Sequence, residues 1–305
     1  MSARRHALLH GVLAAALAAL FSGGENHAPE KVSGRSIEFT KATTIHRPFV
    51  NRGHIKVTDT VVRFTAPYLE LGTYESDPSD NHFMDWTVGA GGTVIAGTGD
   101  RFFVVGNFTN GSLQKMTWNT GKSDLFLEGF ANHACALAGT DMGPAYFGYI
   151  RNFAWKTIRL KAGQSLTLSD GNAAAGAAMY VGGLILEGGL AQIGLLTGNG
   201  CNIYYDPYDP GSSYLGGLTY PMTGGGVITP VLASIRFLST SLLPNGTERL
   251  HVLGVPVRPH TVKASTDLLI WTTLGTVSAA EDGTFLFDDI AAGVFRRRFY
   301  RVEFP

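Results

Sequence analysis

The chain has 305 residues, with 24 basic and 24 acidic side chains and a formal net charge of zero. That balance calls for no nucleic acid or anionic membrane as partner. Hydrophobic residues make up 45% and charged residues 16%, which excludes a mainly disordered chain. The 39 glycines carry no G-X-Y period, which excludes collagen.

Residues 1–24 read as a secretory signal peptide. Arg4 and Arg5 precede the apolar run ALLHGVLAAALAALF, and small residues come next at Ser22, Gly23 and Gly24. The run is too short for a membrane-spanning helix, which needs about 20 apolar residues. The mature chain is therefore expected to be exported and to contain no membrane span.

Glycine divides the rest of the chain. Residues 86–230 hold 28 glycines and residues 231–305 only 5. The expected organisation is a Gly-rich domain at 35–230, a linker at 231–239 and a C-terminal module at 240–305. In the first part, short apolar runs alternate with Gly-bearing turns, as in FFVVGNFTNG (102–111), SLTLSDGN (165–172) and YVGGLILEGG (180–189). Their length and alternation predict strands, with Leu166 and Leu168 on one face and Thr167 on the other. Only residues 173–180, AAAGAAMY, favour a helix, and Gly176 weakens it. Asn110-Gly111 and Asn199-Gly200 are hairpin signals that keep a sandwich open. The short strands and recurring Gly corners favour a parallel β-solenoid. Trp86, Trp118 and Trp155 lie 32 and 37 residues apart, so no strict period is visible.

In the last part, Val262, Trp271, Leu274, Val277, Phe285 and Phe287 are spaced as strand residues around a small core, with Asp282-Gly283 as a hairpin turn. Tyr300, Val302 and Phe304 form the apolar face of a last strand. The module is expected to cover the end of the solenoid, whose edges would otherwise pair with other chains.

The segments SDPSDNHFMDWTVGAGGTVIAGTGDRFFVVGNFTNGSLQKMTWNT (76–120), NFAWKTIRLKAGQSLTLSDGN (152–172) and GNGCNIYYDPYDPGSSYLGGLTYPMTGGGVI (198–228) resemble a family of exported bacterial proteins. These are the autotransporter-like β-helix proteins of Gram-negative bacteria, often with a PEP-CTERM sorting tail. The resemblance covers about residues 43–228. It implies an extracellular right-handed β-helix associated with the cell surface or exopolysaccharide, without catalytic residues. The chain departs from that pattern by ending FRRRFYRVEFP, with no apolar helix. Residues 261–289 and 298–302 instead resemble a small β-sandwich module that ends many exported proteins of environmental bacteria.

Chemical motifs are sparse. Gly121-Lys122-Ser123 lacks the leading Gly of a phosphate loop, since position 116 is methionine. Asp77, Asp80 and Asp85, and again Asp206 and Asp209, are acidic clusters of the kind that hold calcium or cleave glycosides, and equally ordinary loops. Tyr204, Tyr205, Asp206, Tyr208, Asp209 and Tyr214 form the candidate ligand-contact patch, because tyrosine faces stack on sugars; packing on the solenoid is the alternative. Cys135 and Cys201 are either a disulfide or two buried free thiols. His133 would share a strand face with Cys135, which does not make a zinc site. Arg296-Arg297-Arg298 is a solvated loop or an edge-strand guard against pairing, with an anion-binding patch as the sharper reading.

The fold expected is all-β: a right-handed parallel β-solenoid followed by a small antiparallel β-sandwich. The function expected is a non-enzymatic, exported structural or adhesive protein at the bacterial surface or matrix, without catalytic residues, cofactor or metal. Its expected partners are polysaccharide or matrix components, or further copies of itself, and not nucleic acid. The alternative is a carbohydrate-binding or carbohydrate-active β-helix protein of lyase or hydrolase type.

Overall fold

The computed structural model describes residues 30–172, 176–232 and 235–304. The expected leader, residues 1–24, lies outside them. The described chain forms two compact units: residues 30–143 with 151–230, and residues 144–150 with 231–304.

The first unit is a parallel β-solenoid of about nine turns. Short strands from successive turns stack into two large parallel sheets. One sheet runs through Val61–Phe64, Asp80–Phe83, Arg101–Val104, Asp124–Leu127, Trp155–Leu160, Ala178–Leu186 and Asn202–Tyr205. The other runs through Phe49–Thr58, Tyr68–Glu70, Trp86–Val88, Phe108–Asn110, Asn132–Leu137 and Ser165–Asp170. In this second sheet Phe49–Thr58 is long enough to pair with both Tyr68–Glu70 and Thr73–Asp77 of the next turn.

The register explains the missing period. Val62 lies beside Asn81, Asn81 beside Phe102, Phe102 beside Leu125, Leu125 beside Ile158 and Ile158 beside Leu184, so successive turns take 19, 21, 23, 33 and 26 residues. The tryptophans do not mark one column. Trp86 and Trp155 stand on different sheets, and Trp118 sits between strands, packed edge-on against Phe153.

Alternation fills the core, since every second residue of each strand points inward. Aromatic rings dominate the early turns. Phe49 stacks on Tyr68, Phe64 on Phe83, and Trp86 lies between Phe83 and Phe102 at 4.5 and 5.3 Å. Later turns are aliphatic, with Leu125, Leu127, Ile158, Leu160, Leu184 and Leu186 buried.

The Asn-Gly signals are corners rather than hairpins. Asn110 ends one strand of a parallel stack, and its Oδ1 accepts from the Ser112 amide at 3.0 Å. Asn199 and Gly200, both at positive φ, turn the chain between strands of different sheets. Of the helix-friendly run, residues 173–175 lie outside the described ones and Ala178–Tyr180 opens a strand. The last turn carries its own cover. Residues 220–221 pair antiparallel with Val227–Pro230, and Thr223 bridges Thr197, the last strand of the other sheet.

The second unit packs two three-stranded antiparallel sheets. One orders Arg236–Leu242, Glu248–Leu253 and Thr284–Asp289; the other orders Thr272–Ser278, Pro259–Ser265 and Phe299–Glu303. Leu250, Val252, Val262, Phe285 and Val302 are buried between them. Three expectations change. The linker placed at 231–239 overlaps the strand Arg236–Leu242. Asp282-Gly283 joins strands of opposite sheets instead of making a hairpin. Trp271 lies outside the strands, its ring under the Arg301 guanidinium at 4.6 Å.

Close turn spacing fixes particular glycines. Gly72 turns the chain between two strands directly over Gly53 of the preceding turn. A Cβ there would lie 2.1 Å from the Gly53 carbonyl oxygen, whereas one on Gly121 would meet nothing within 4 Å. Gly72→Ala is expected to cost about 1–3 kcal/mol in denaturant unfolding, and Gly121→Ala to be near neutral.

Candidate functional site

The residues expected to contact ligand lie on the strand Asn202–Tyr205 and the turn after it. The structure turns most of them into supports. Tyr205 is wholly buried and its hydroxyl donates to the Leu218 carbonyl at 2.8 Å. Tyr204 points outward but is covered by the loop before Gly143: its ring stacks on Tyr180 and its hydroxyl donates to Asp141 Oδ1 at 2.8 Å. Burial pushes both phenols up to about 12. The Tyr214 hydroxyl accepts from the Leu186 amide and donates to the Leu184 carbonyl, both at 3.1 Å. Asp206 accepts from the Tyr208 amide, and Asp209 caps the 3₁₀ turn Pro210–Leu215 by accepting from the Gly211 amide at 2.8 Å. Of the six, Tyr208 alone is exposed. They form a packed turn, not an open aromatic patch.

The other acidic cluster is also dispersed. Asp80 receives Arg101 through two hydrogen bonds of 2.6 and 2.7 Å. Asp85 accepts from the Asn107 amide at 2.8 Å, and Asp77 is exposed. Cys135 and Cys201 are both buried and free, so the disulfide does not form. Burial, with Cys201 nearby, pushes the Cys135 thiol up to about 12, which leaves it protonated and unreactive. A small cavity beside it is lined by Phe108, Asn110, Phe153, Trp155 and Met179. His133 and Cys135 do share the inward face, and His133 Nδ1 donates to the Gly106 carbonyl at 2.6 Å. Among the described residues, no group of three His, Cys, Asp or Glu side chains is placed to hold a metal.

Sequence reasoning missed a polar seam inside the early turns. Glu70 is wholly buried. Its carboxylate accepts from Asn51 Nδ2 at 2.9 Å, the Tyr68 hydroxyl at 2.7 Å and the Gly72 amide at 2.7 Å. One turn on, Asp100 accepts from the Ser76 hydroxyl, the Ser79 amide at 2.8 Å and the Gly97 amide at 2.7 Å. Asn81 extends the second group, accepting from Tyr74 and donating to Ser76. The signal lay in a corner pattern. Asn51-x-Gly53, Glu70-x-Gly72, Asn110-x-Ser112 and Asp170-x-Asn172 each place a side-chain oxygen on the amide two residues later.

The outer face of the first sheet is the extended surface these turns present. Arg63, His82, Phe103, Phe126 and Arg159 are register partners in one outward column. His82 stacks on Phe103 at 4.4 Å and Phe103 on Phe126 at 4.7 Å. Burial, with Arg63 beside it, holds His82 below the usual imidazole range, so it stacks as a neutral ring at pH 7. Ion pairs run alongside: Asp80 with Arg101, Glu128 with Lys161 at 3.3 Å and Glu187 with Arg159 at 3.0 Å. Each links neighbouring turns.

No protein-family model, curated protein or solved structure matches this chain.

The surface can therefore be judged only by its own chemistry. It is a stripe of stacked rings flanked by opposite charges that neutralise one another. The buried seam gives a pH signature instead. Burial raises Glu70 from 4.5 to about 7. Its protonated form is thus favoured by folding. The associated stability is complete below about pH 4.5 and is lost as pH rises through about 7. The loss is on the order of 3 kcal/mol. In urea unfolding of the solenoid at pH 4.5 and pH 8, Glu70→Gln is expected to remove that share of the pH dependence. An unchanged difference between the two pH values would show that Glu70 does not titrate this way.

Proposed function

We propose that this chain is a non-enzymatic, exported structural or adhesive protein of a bacterial surface or extracellular matrix. The observation that carries the proposal is how its acidic groups are used. Glu70 and Asp100 are sealed in the solenoid interior, Asp206 and Asp209 hold turn amides, and Asp80, Glu128 and Glu187 are tied to cations on adjacent turns. General acid–base cleavage of a glycoside needs two carboxyl groups facing each other across a groove. These carboxylates face backbone amides, neutral polar side chains and the cations Arg101, Arg159 and Lys161 of their own fold. A stacked solenoid face whose charges are neutralised from turn to turn suits spacing, display or lengthwise contact. The apolar leader behind Arg4 and Arg5 supports export, and the sequence resemblance supports the surface setting.

Two measurements test the proposal together. In its native host, the chain is expected outside the cytoplasm, shortened near residues 22–24; an intact cytoplasmic chain overturns export. Purified mature protein is expected to release no reducing ends from a polysaccharide panel. Release would establish the carbohydrate-active alternative, and binding without release would mark an adhesive that recognises glycan.

A further inference from the structure

One end of the C-terminal sandwich is built differently from the rest of its surface. Ser265 pairs with Phe299, Ala264 with Thr272, Asp289 with Glu248 and Leu242 also with Glu248. Three connections therefore gather at this end: residues 243–247, 266–271 and 290–298. Two of them run close together, since a Cβ added to Gly293 would lie 3.0 Å from the Gly246 carbonyl oxygen.

These connections carry the most exposed large apolar side chains of the module. Leu269 is 84% exposed, Ile290 83%, Val294 81% and Ile270 74%, with Leu242 and Phe295 beside them. Their exposure is held in place by hydrogen bonds. Asp267 Oδ1 accepts from the amides of both Leu269 and Ile270 at 2.9 Å. Leu268, at φ 66°, donates its amide to Ser265 Oγ, and Trp271 Nε1 donates to the Leu268 carbonyl. A chain that spends such bonds on keeping leucine and isoleucine in water has an apolar medium for them to enter.

The charges select that medium. Asp288 is occupied by Arg249 through two hydrogen bonds, and Asp289 by Arg298 at 2.6 Å and by the Tyr300 hydroxyl. Arg296 and Arg297, exposed in the same connection as Val294 and Phe295, make no ion pair among the described residues, and the one carboxylate of the neighbouring connection, Asp267, is taken up by the amides of Leu269 and Ile270. A two-fold contact with a second copy would bring these arginines against their own counterparts. Anionic headgroups would neutralise them while the apolar tips enter the headgroup boundary.

We infer that this end of the module is a docking tip for a lipid bilayer bearing anionic headgroups. Leu269, Ile270, Ile290 and Val294 insert, and Arg296 and Arg297 sit at headgroup level. The chain as a whole is neutral, so the attraction is local to the tip. It does not depend on export, because a lipid surface is present on either side of an envelope.

The test is flotation of the full chain with vesicles of phosphatidylcholine mixed with phosphatidylglycerol, and with phosphatidylcholine alone. The wild-type chain is expected to float with the mixed vesicles and only weakly with the neutral ones. Leu269→Ser with Ile270→Ser is expected to lower partitioning at least about tenfold. Arg296→Glu with Arg297→Glu is expected to abolish the preference for the anionic lipid. Leu113→Ser, on an exposed apolar residue of the solenoid, should change nothing. All these positions are exposed, and unchanged thermal unfolding of each variant confirms that the fold is kept. The inference is overturned if the wild-type chain does not float, or floats equally with neutral vesicles. It is also overturned if the Leu269/Ile270 variant floats as the wild type does, or if that variant instead abolishes a dimer seen by sedimentation.

Discussion

Every turn of the solenoid is hydrogen-bonded to the next in parallel register, and this constraint governs the rest of the unit. In-register stacking puts each inward side chain above the equivalent side chain of the previous turn, about 4.8 Å away. Columns then form without choice. Phe49, Tyr68, Trp86 and Phe108 share one. Val62, Asn81, Phe102 and Leu125 share another. A polar residue in such a column is costly to leave alone, because an unpaired buried polar group costs about 1–3 kcal/mol, and only a few inward atoms such as Trp86 Nε1 carry that cost. Asn81 therefore recruits Tyr74 and Ser76, Ser76 recruits Asp100, and a polar seam grows inside an otherwise apolar core.

The same stacking organises the outside. Opposite charges one turn apart become direct neighbours, as in Asp80 with Arg101 and Glu187 with Arg159. Such exposed pairs add little stability individually, but they decide what the surface looks like to a partner. The module has no comparable axial repeat. Its charges pair across antiparallel strands, Arg249 with Asp288 and Lys263 with Glu303, and its loops are free to depart from neutrality. The overall charge of zero thus conceals a solenoid neutralised along its sides and a sandwich whose tip is not.

Much of the fold was legible in the sequence because alternation is local. Leu166-Thr167-Leu168 alternates as expected, and the short Gly-bounded runs are strands of a parallel stack. What was not legible depends on register. Whether Tyr204 faces water or a covering loop is decided by Asp141, 63 positions away. Whether Asp282-Gly283 closes a hairpin is decided by which sheet each flanking strand joins. The packing of the candidate patch was hidden for the same reason: Tyr205 and Tyr214 read alike with Tyr208 in sequence, yet their hydroxyls meet backbone groups at Leu218 and Leu184 that no local pattern announces. The corner motif at Asn51, Glu70, Asn110 and Asp170 was visible in principle, but the varying turn length and the change of residue type disguised it.

The antiparallel segment at the end of the solenoid has a consequence for assembly. A parallel stack is a template that could recruit another chain turn by turn, as fibres do. Here the outermost strand of one sheet, Tyr220–Pro221, is two residues long, runs in the reverse sense and includes a proline, which has no amide hydrogen to donate. The last strand of the other sheet, Leu196–Thr197, is equally short and already bridged by Thr223. An incoming strand would find neither the direction nor the length needed to continue either sheet, so this terminus cannot seed polymer growth. Growth of either sheet by addition of a further turn is thus blocked at this end by strand length and direction rather than by charge.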